Sequence, residues 1–427
     1  MKQRLLEISS ELKSYHITEK LFILFAMICG FCITSEYSVT KPVSYSVFIS
    51  HFSASYLPYA WLATVPVNLL IIMLYNKCLT RFGCFKTTLF TVLTTAGFNV
   101  IATFTLKDIA VFSFLHFIWK DIYVLMMFQF LWSVIHSTIS SGKTKYLYGF
   151  LYGMGGLGAA LGSFIPALLA TKAGSEMLLL ATPIIYSVFI FSYKGLLTMR
   201  SKMETAGIKV SSIEFKKKDA KGGFSLIKNS KYLKFILLIV VFMQISASLI
   251  DFQFNSYLEQ AIPIKDMRTA YLGKMFSVVH TVNIFLQLFG AYILVQFVGL
   301  RRSHFLVPAF FTLNIISFIF FPVFRVVTMC YASVKSFDYS VFTIIKEMLY
   351  VPLKVEEKFR AKAVIDVFAY RSSKAISSLL VLGLQMLAIT SVTKVISWIL
   401  LGIFTLWLLS VFYLFEKQES PTEQAIS

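Results

Sequence analysis

Long apolar stretches separated by short basic turns run the length of this chain. A helix needs about 20 mainly apolar residues to cross a hydrocarbon core about 30 Å thick. Twelve stretches qualify, near residues 21–40, 56–76, 86–106, 112–136, 147–171, 176–197, 233–257, 270–297, 303–324, 326–348, 362–391 and 394–415. Lys120 and Asp121 interrupt the fourth, and Lys335 and Asp338 the tenth. The first stretch begins at Leu21 behind a polar segment, with no small-residue cleavage site after it, so it reads as a retained span rather than a removed signal peptide.

Composition identifies the solvent. Hydrophobic residues make up 57% of the chain and charged residues only 14%, where a soluble domain carries about 25%. The positive charge then sets the orientation. Lys2, Arg4, Lys13 and Lys20 precede the first span, Lys77, Arg81 and Lys86 lie between the second and third, Lys143 and Lys145 follow the fourth, and Arg301 and Arg302 follow the eighth. The largest basic block, from Arg200 to Lys231, joins the sixth and seventh. These ends are expected in the cytoplasm, together with both termini, in a multi-pass protein of the cell membrane. The net charge of +19 thus reports topology and contact with anionic lipid rather than nucleic acid.

A weak internal repeat organises the spans. Val67-Asn68, followed by an apolar run into Arg81-Phe82-Gly83, resembles Val282-Asn283, followed by an apolar run into Phe297-Val298-Gly299-Leu300-Arg301, about half the chain later. The pattern predicts an all-α membrane protein with about twelve transmembrane helices in two six-helix halves, major-facilitator-like. The expected division is an N-terminal half at 1–197, a basic cytoplasmic linker at 198–232, a C-terminal half at 233–416 and a polar tail at 417–427.

A charge at the bilayer centre costs at least about 2.5–3.5 kcal/mol, so ionisable residues inside spans are functional candidates. They are Glu36, Lys41, Lys120, Asp121, Asp251, Lys274, Lys335, Asp338, Lys346, Glu347, Asp366, Arg371 and Lys374, with Gln129, Gln244, Gln253 and Asn255 among them. Lysines near span ends, such as Lys41 and Lys274, can also snorkel to the interface. Asp251 follows a long apolar run, and Asn255 lies one helical turn beyond it on the same face. Lys346, Asp366 and Arg371 fall at or inside span mouths, whereas Glu356, Glu357, Lys358 and Arg360 read as a solvated hairpin.

Other motifs dissolve on inspection. The glycines at 153, 155, 156, 158 and 162 form a small-residue helix face rather than a nucleotide loop, for no strand precedes them. Gly142-Lys143-Thr144 lacks the P-loop glycine, whose place is taken by Ser137. Cys29-Gly30-Phe31-Cys32 lies inside a span and lacks the βαβ context of a redox motif. The six histidines have no metal-ligand spacing, and no nucleophile motif is present. The expectation is a carrier, not an enzyme, with no catalytic residue, metal or cofactor.

The run from Lys346 to Leu353 and that from Glu357 to Arg371, ending Ile365-Asp366-Val367-Phe368-Ala369-Tyr370-Arg371, resemble the nucleotide transporter family of plastids and intracellular bacteria, the non-mitochondrial ATP/ADP translocases. The likeness extends more weakly to Thr40-Lys41, to Phe128-Gln129-Phe130-Leu131-Trp132-Ser133, to the glycines of the fifth span and to Leu249-Ile250-Asp251. Length and the Tyr370-Arg371 ending look most like the shorter bacterial members. The resemblance implies ATP/ADP-type exchange by alternating access, with Lys41, Gln129, Asp251 and Lys346 binding substrate. Glu347, Asp366 and Arg371 are the gating or coupling candidates. Two positions depart from the family pattern: Pro42 stands for the acid after the first lysine, and neutral Gln129 for the acid of the fourth span. An amide keeps the shape and hydrogen bonding of a carboxylate but removes its charge. The alternatives are a carrier of another anionic or phosphorylated metabolite and a non-transporting protein that binds lipid or a partner. The expected partners are ATP, ADP or a related nucleotide and membrane lipid, with no nucleic acid, and the chain is expected to be a monomer.

Overall fold

The computed structural model describes residues 15–138, 144–206, 220–287, 298–350, 353, 364–365, 369–387 and 391–419, and every regular element among them is helical. In hydrocarbon there is no water to satisfy N–H and C=O groups, so an open chain must pair them within each segment. The helices are α1 (Ile17–Phe52), α2 (Leu57–Thr105), α3 (Ala110–Thr138), α4 (Thr144–Ala173), α5 (Ala181–Thr205), α6 (Ala220–Asn229), α7 (Lys231–Ala261), α8 (Lys265–Phe285), α9 (Leu300–Phe320), α10 (Phe324–Phe337), α11 (Thr343–Leu349), α12 (Tyr370–Met386) and α13 (Val392–Glu419). Short 3-10 turns at Ala54–Tyr56 and Glu176–Leu180 lead into α2 and α5, and a π turn, Asp338–Phe342, joins α10 to α11.

Among the described residues, nine segments are long and apolar enough to cross a membrane, and they coincide with the first seven, the ninth and the twelfth expected spans. The other three are marked by charge or brevity. The eighth falls on α8, which carries Lys265, Asp266, Arg268 and Lys274, and its expected continuation at 288–297 lies outside the described residues. The tenth carries Lys335, Asp338 and Lys346, with Arg325 just before it, and changes pitch at the π turn. The eleventh is represented by α12, 17 residues long, while Asp366 lies outside the described residues.

The turn expected between the second and third spans is not a loop. α2 carries Lys77, Arg81 and Lys86 on helix and breaks only at Gly83, whose φ of 75° and ψ of 175° lie in a region open essentially to glycine. The repeat noted in the sequence has its counterpart at Gly299, before α9, with φ 84° and ψ 156°. In both places the hydroxyl four residues later closes the turn: Thr87 Oγ1 donates to the Gly83 carbonyl at 2.7 Å and Ser303 Oγ to the Gly299 carbonyl at 2.8 Å. The paired asparagines, Asn68 and Asn283, are both buried.

Packing divides the chain into two compact units. The first comprises Met1–His51, Pro66–Lys216 and Ile264–Thr281, and the second Phe52–Val65, Lys217–Pro263 and Val282–Ser427. In the first unit, glycine lets backbones meet: a Cβ at Gly158 would overlap the Phe31 carbonyl, and one at Gly162 the backbone of Ser35, so α4 lies directly on α1. Gly273 of α8 meets the backbone of Ala167 in the same way. The start of α8 is also held there by polar contacts, the Ser175 amide donating to Asp266 Oδ1 at 2.9 Å, Ser175 Oγ bonding Thr269 Oγ1 at 2.7 Å, and Lys265 pairing with Glu176. The apolar core around Phe22, Tyr123, Phe130, Tyr186 and Phe189 fills the rest.

In the second unit α7 is the central helix, packed by α10, α12 and α13, with α9 on α13. Its core includes an aromatic cluster of Phe311, Phe342, Phe404 and Trp407. Phe52–Val65 joins this unit through Glu259 of α7, which accepts from the Ala54 amide at 2.8 Å and from Ser53 Oγ at 3.0 Å. Those two bonds hold Ser53 at a φ of 66°, the one positive value at a non-glycine residue among those described.

Because a Cβ at Gly83 or Gly299 would meet nothing within 4 Å, alanine there would cost backbone energy alone. Gly83→Ala and Gly299→Ala should each destabilise the detergent-solubilised protein by about 1–3 kcal/mol. Gly97→Ala, equally open but helical, should not, and thermal unfolding of the three variants checks this.

Candidate functional site

Each unit holds a buried polar cluster. In the first it centres on Glu36 of α1, which is fully buried. Its carboxylate accepts from Thr40 Oγ1 at 2.7 Å, Thr182 Oγ1 at 2.9 Å, Tyr123 OH at 2.9 Å, Tyr186 OH at 3.0 Å and, more weakly, Asn99 Nδ2 at 3.3 Å. Asn99 extends the network, its Oδ1 lying 3.2 Å from His116 Nε2, while His116 Nδ1 meets Ser44 Oγ at 2.9 Å. The donors come from α1, α2, α3 and α5, so one carboxylate ties four helices together.

Beside it, Lys120 is also fully buried. Its ammonium is paired with Asp121 at 2.9 Å and sits 3.9 Å from the centre of the Phe117 ring. Asp121 also accepts from Tyr37 OH at 3.0 Å. A desolvated cation over an aromatic face gains about 2 kcal/mol, which together with the carboxylate offsets the loss of water. Lys41, half-buried one turn beyond Tyr37, places its ammonium 4.3 Å from the Phe276 ring centre on α8. Gln129 lies further along α3, is exposed, and has no part in the Glu36 network.

In the second unit, Gln244, Asp251 and Asn255 recur on one stripe of α7 at helical spacing. Asn255 Nδ2 donates to Asp251 Oδ1 at 2.8 Å, the contact their spacing predicts. Asp251 Oδ2 lies 3.7 Å from Lys335 Nζ, and Gln244 Nε2 donates to Asp338 Oδ1 at 3.2 Å. Asp338 is buried at the opening of the π turn, within electrostatic reach of both Lys335 and Lys346. A π turn is uncommon and tends to mark functional positions. Here it follows Lys335 by a few residues and precedes Lys346, so two acids and two lysines interleave along α7, α10 and α11. Gln253, on another face, donates to the Thr393 carbonyl and to Ser397 Oγ and anchors α13.

Of the residues singled out in the sequence, Asp251 and Lys346 therefore belong to one charged cluster in the second unit, and Lys41 lies beside a different one in the first. Glu347 pairs with Lys346 at 4.0 Å but is 40% exposed, so that contact contributes about 0–1 kcal/mol. Asp366 is outside the described residues, and Arg371 lies on α12 with its side chain outside them. Glu36, Lys120, Lys335 and Asp338 had appeared in the sequence only as mid-span charges without an assigned role. Their partners sit on other helices, and the only signal was the cost of their charge. No group of three or more potential metal ligands occurs among the described residues.

A family model described as TLC ATP/ADP transporter matches residues 166–418, more than half of the chain. The chain is 27% identical over 236 residues to ADP,ATP carrier protein 1 of Chlamydia pneumoniae, covering 49% of this chain and 46% of that protein. It is 26% identical over 209 residues to the protein of the same name from Chlamydia muridarum, covering 44% and 40%. The chain thus spans less than half the length of the curated relatives it matches. Among solved structures, it resembles a bacterial homologue of the iron transporter ferroportin in an inward-facing state, with a TM-score of 0.67, 10% identity and 94% and 99% coverage of the two chains. It also resembles the nucleoside transporter NupG, with a TM-score of 0.63, 10% identity and 94% and 99% coverage. The xylose transporter XylE from E. coli gives a TM-score of 0.62, 12% identity and 92% and 98% coverage. At such identity the likeness is one of fold, all-α and major-facilitator-like.

The Asp251–Lys335 pair should show the asymmetry of buried ions. Lys335→Met, which leaves the acid without its ammonium, should destabilise by about 3 kcal/mol, and adding Asp251→Asn should recover at least half of that. A double-mutant cycle on unfolding of the purified protein measures the coupling.

Proposed function

Since this chain belongs to the TLC ATP/ADP transporter family, we propose that it is a membrane carrier for nucleotides, exchanging ATP and ADP by alternating access. The observation that carries this reading is the family match over residues 166–418, which includes the charged cluster of α7, α10 and α11. In this reading Lys346 and Lys41 contact the phosphates, Asp251 is the coupling acid and Gln129 a polar substrate contact. Glu347, Asp366 and Arg371 gate the path.

The geometry of the second unit suits a polyphosphate that must bind and then leave. Lys335 and Lys346 already have carboxylates within reach, so an arriving phosphate exchanges one anionic partner for another instead of meeting a bare cation. Asp251, Asp338 and Glu347 reclaim the lysines when it departs. Binding that is favourable without being too tight to reverse is what conduction requires. The chain acts as a monomer in the cell membrane with both termini in the cytoplasm. Its basic linker, which includes α6, contacts anionic headgroups; on α6, Ile227 is buried and Phe224 exposed.

A second reading, a carrier of another phosphorylated anion, draws on Gln129, whose neutral and exposed side chain replaces the family's acid. Competition by a panel of metabolites separates the two.

Labelled ATP should enter proteoliposomes that contain ADP or ATP and not those that contain buffer. Lys346→Gln should lower that uptake by about tenfold to a hundredfold, the loss of one charged hydrogen bond to phosphate. Undiminished uptake by the folded variant would remove Lys346 from the site. No uptake under any preload would remove nucleotide exchange itself.

A further inference from the structure

Glu36 belongs to none of the roles above, yet it is the most completely enclosed acid among the described residues of the first unit. Among the described residues no lysine, arginine or histidine lies within ion-pair distance of it, and Lys120 nearby is paired with Asp121. Titratable groups near it on the helices packed around it include Cys32, Tyr37 and Lys41 on α1, His116, Lys120, Asp121 and Tyr123 on α3, and Tyr186 on α5. α2 contributes Asn99, and α4 faces α1 with Gly158 and Gly162.

The composition of its cage is informative. Four of the five partners, Thr40, Tyr123, Thr182 and Tyr186, are hydroxyls. A hydroxyl both donates and accepts and can turn, whereas the ammonium, guanidinium and backbone N–H groups that hold a permanent carboxylate only donate. With Glu36 ionised, all five partners donate to it. With Glu36 protonated, its own O–H donates to one hydroxyl, which turns its hydrogen elsewhere, and the remaining bonds persist. Both charge states are therefore hydrogen-bonded, and the bonds reach α1, α2, α3 and α5.

We propose that Glu36 is a proton-binding site. During the carrier's cycle an O–H bond forms on its carboxylate with a proton delivered by water, and the same bond breaks to return the proton to water. The charge state of this one group then adjusts how firmly the helices of the first unit are held. The purpose assigned to the site rests on the carrier reading, but its existence does not.

The test is infrared difference spectroscopy of the purified full-length protein in lipid as pH is changed, without nucleotide. A carbonyl band of a buried protonated carboxyl should grow on acidification and be absent from Glu36→Gln. Tyr123→Phe, which removes one hydroxyl of the cage, should move both the frequency and the midpoint of that band, and it keeps the test open should Glu36→Gln fail to fold. A wild-type protein without such a band at any pH, or with one that does not titrate, overturns the proposal. So does a band unchanged by both substitutions. Nucleotide exchange measured on the same preparation fails or succeeds separately: a titrating Glu36 without exchange would remove the nucleotide-exchange reading and leave the proton site standing.

Discussion

In a bilayer a polar atom has no water to turn to, and almost every local choice in this chain answers that constraint. Serine and threonine side chains fold back onto the carbonyl four residues earlier, as Thr34, Thr64, Thr88, Ser163 and Thr281 do. Full charges need more. Lys120 takes an adjacent acid and an aromatic face, Asp251 takes an amide on its own helix and an ammonium on another, and Glu36 takes a shell of neutral donors. Three solutions to one problem give three chemically different environments: a cation beside its own acid, an acid shared between an amide and a distant ammonium, and an acid among neutral donors.

Close packing places these groups before chemistry uses them. Gly158 and Gly162 let α4 settle onto α1 between Phe31 and Ser35, one residue before Glu36. Gly195 on α5 is similarly crowded, by the Phe25 ring. A side chain at Gly158 or Gly162 would lift α4 away from α1 and loosen the acid's neighbours with it. The small residues and the buried carboxylate are thus parts of one arrangement, the former setting the distances over which the latter can be hydrogen-bonded.

Much of this was legible in the sequence because hydrocarbon enforces simple patterns. Span positions follow from runs of apolar residues, and the Asp251–Asn255 contact follows from their spacing on one helix. The repeat around Gly83 and Gly299 was visible as a pattern of letters, although its content, a shared backbone conformation closed by a hydroxyl, was not. What stayed hidden depends on other helices. Nothing local to Lys335 announces Asp251, and Glu36 gives no hint that Tyr123, Thr182 and Tyr186 converge on it from far along the chain. The basic stretch around Arg81 read as a turn because its charges fall between two apolar runs, whereas a single glycine conformation suffices to redirect the helix.

The makeup of the two packing units has a consequence for biogenesis. A chain leaves the ribosome from its N-terminus, and a unit can finish folding only when its last segment has emerged. The first unit contains Ile264–Thr281, so it stays incomplete through the making of the basic linker and all of α7. In that interval the helix ends around Ala167 and Ser175 stand without Gly273 and Asp266, the groups that will cover them. The second unit, by contrast, must recover Phe52–Val65 from chain made long before. Insertion can therefore proceed span by span, but assembly is interlocked: neither half of the sequence, synthesised alone, carries all the residues its own unit needs.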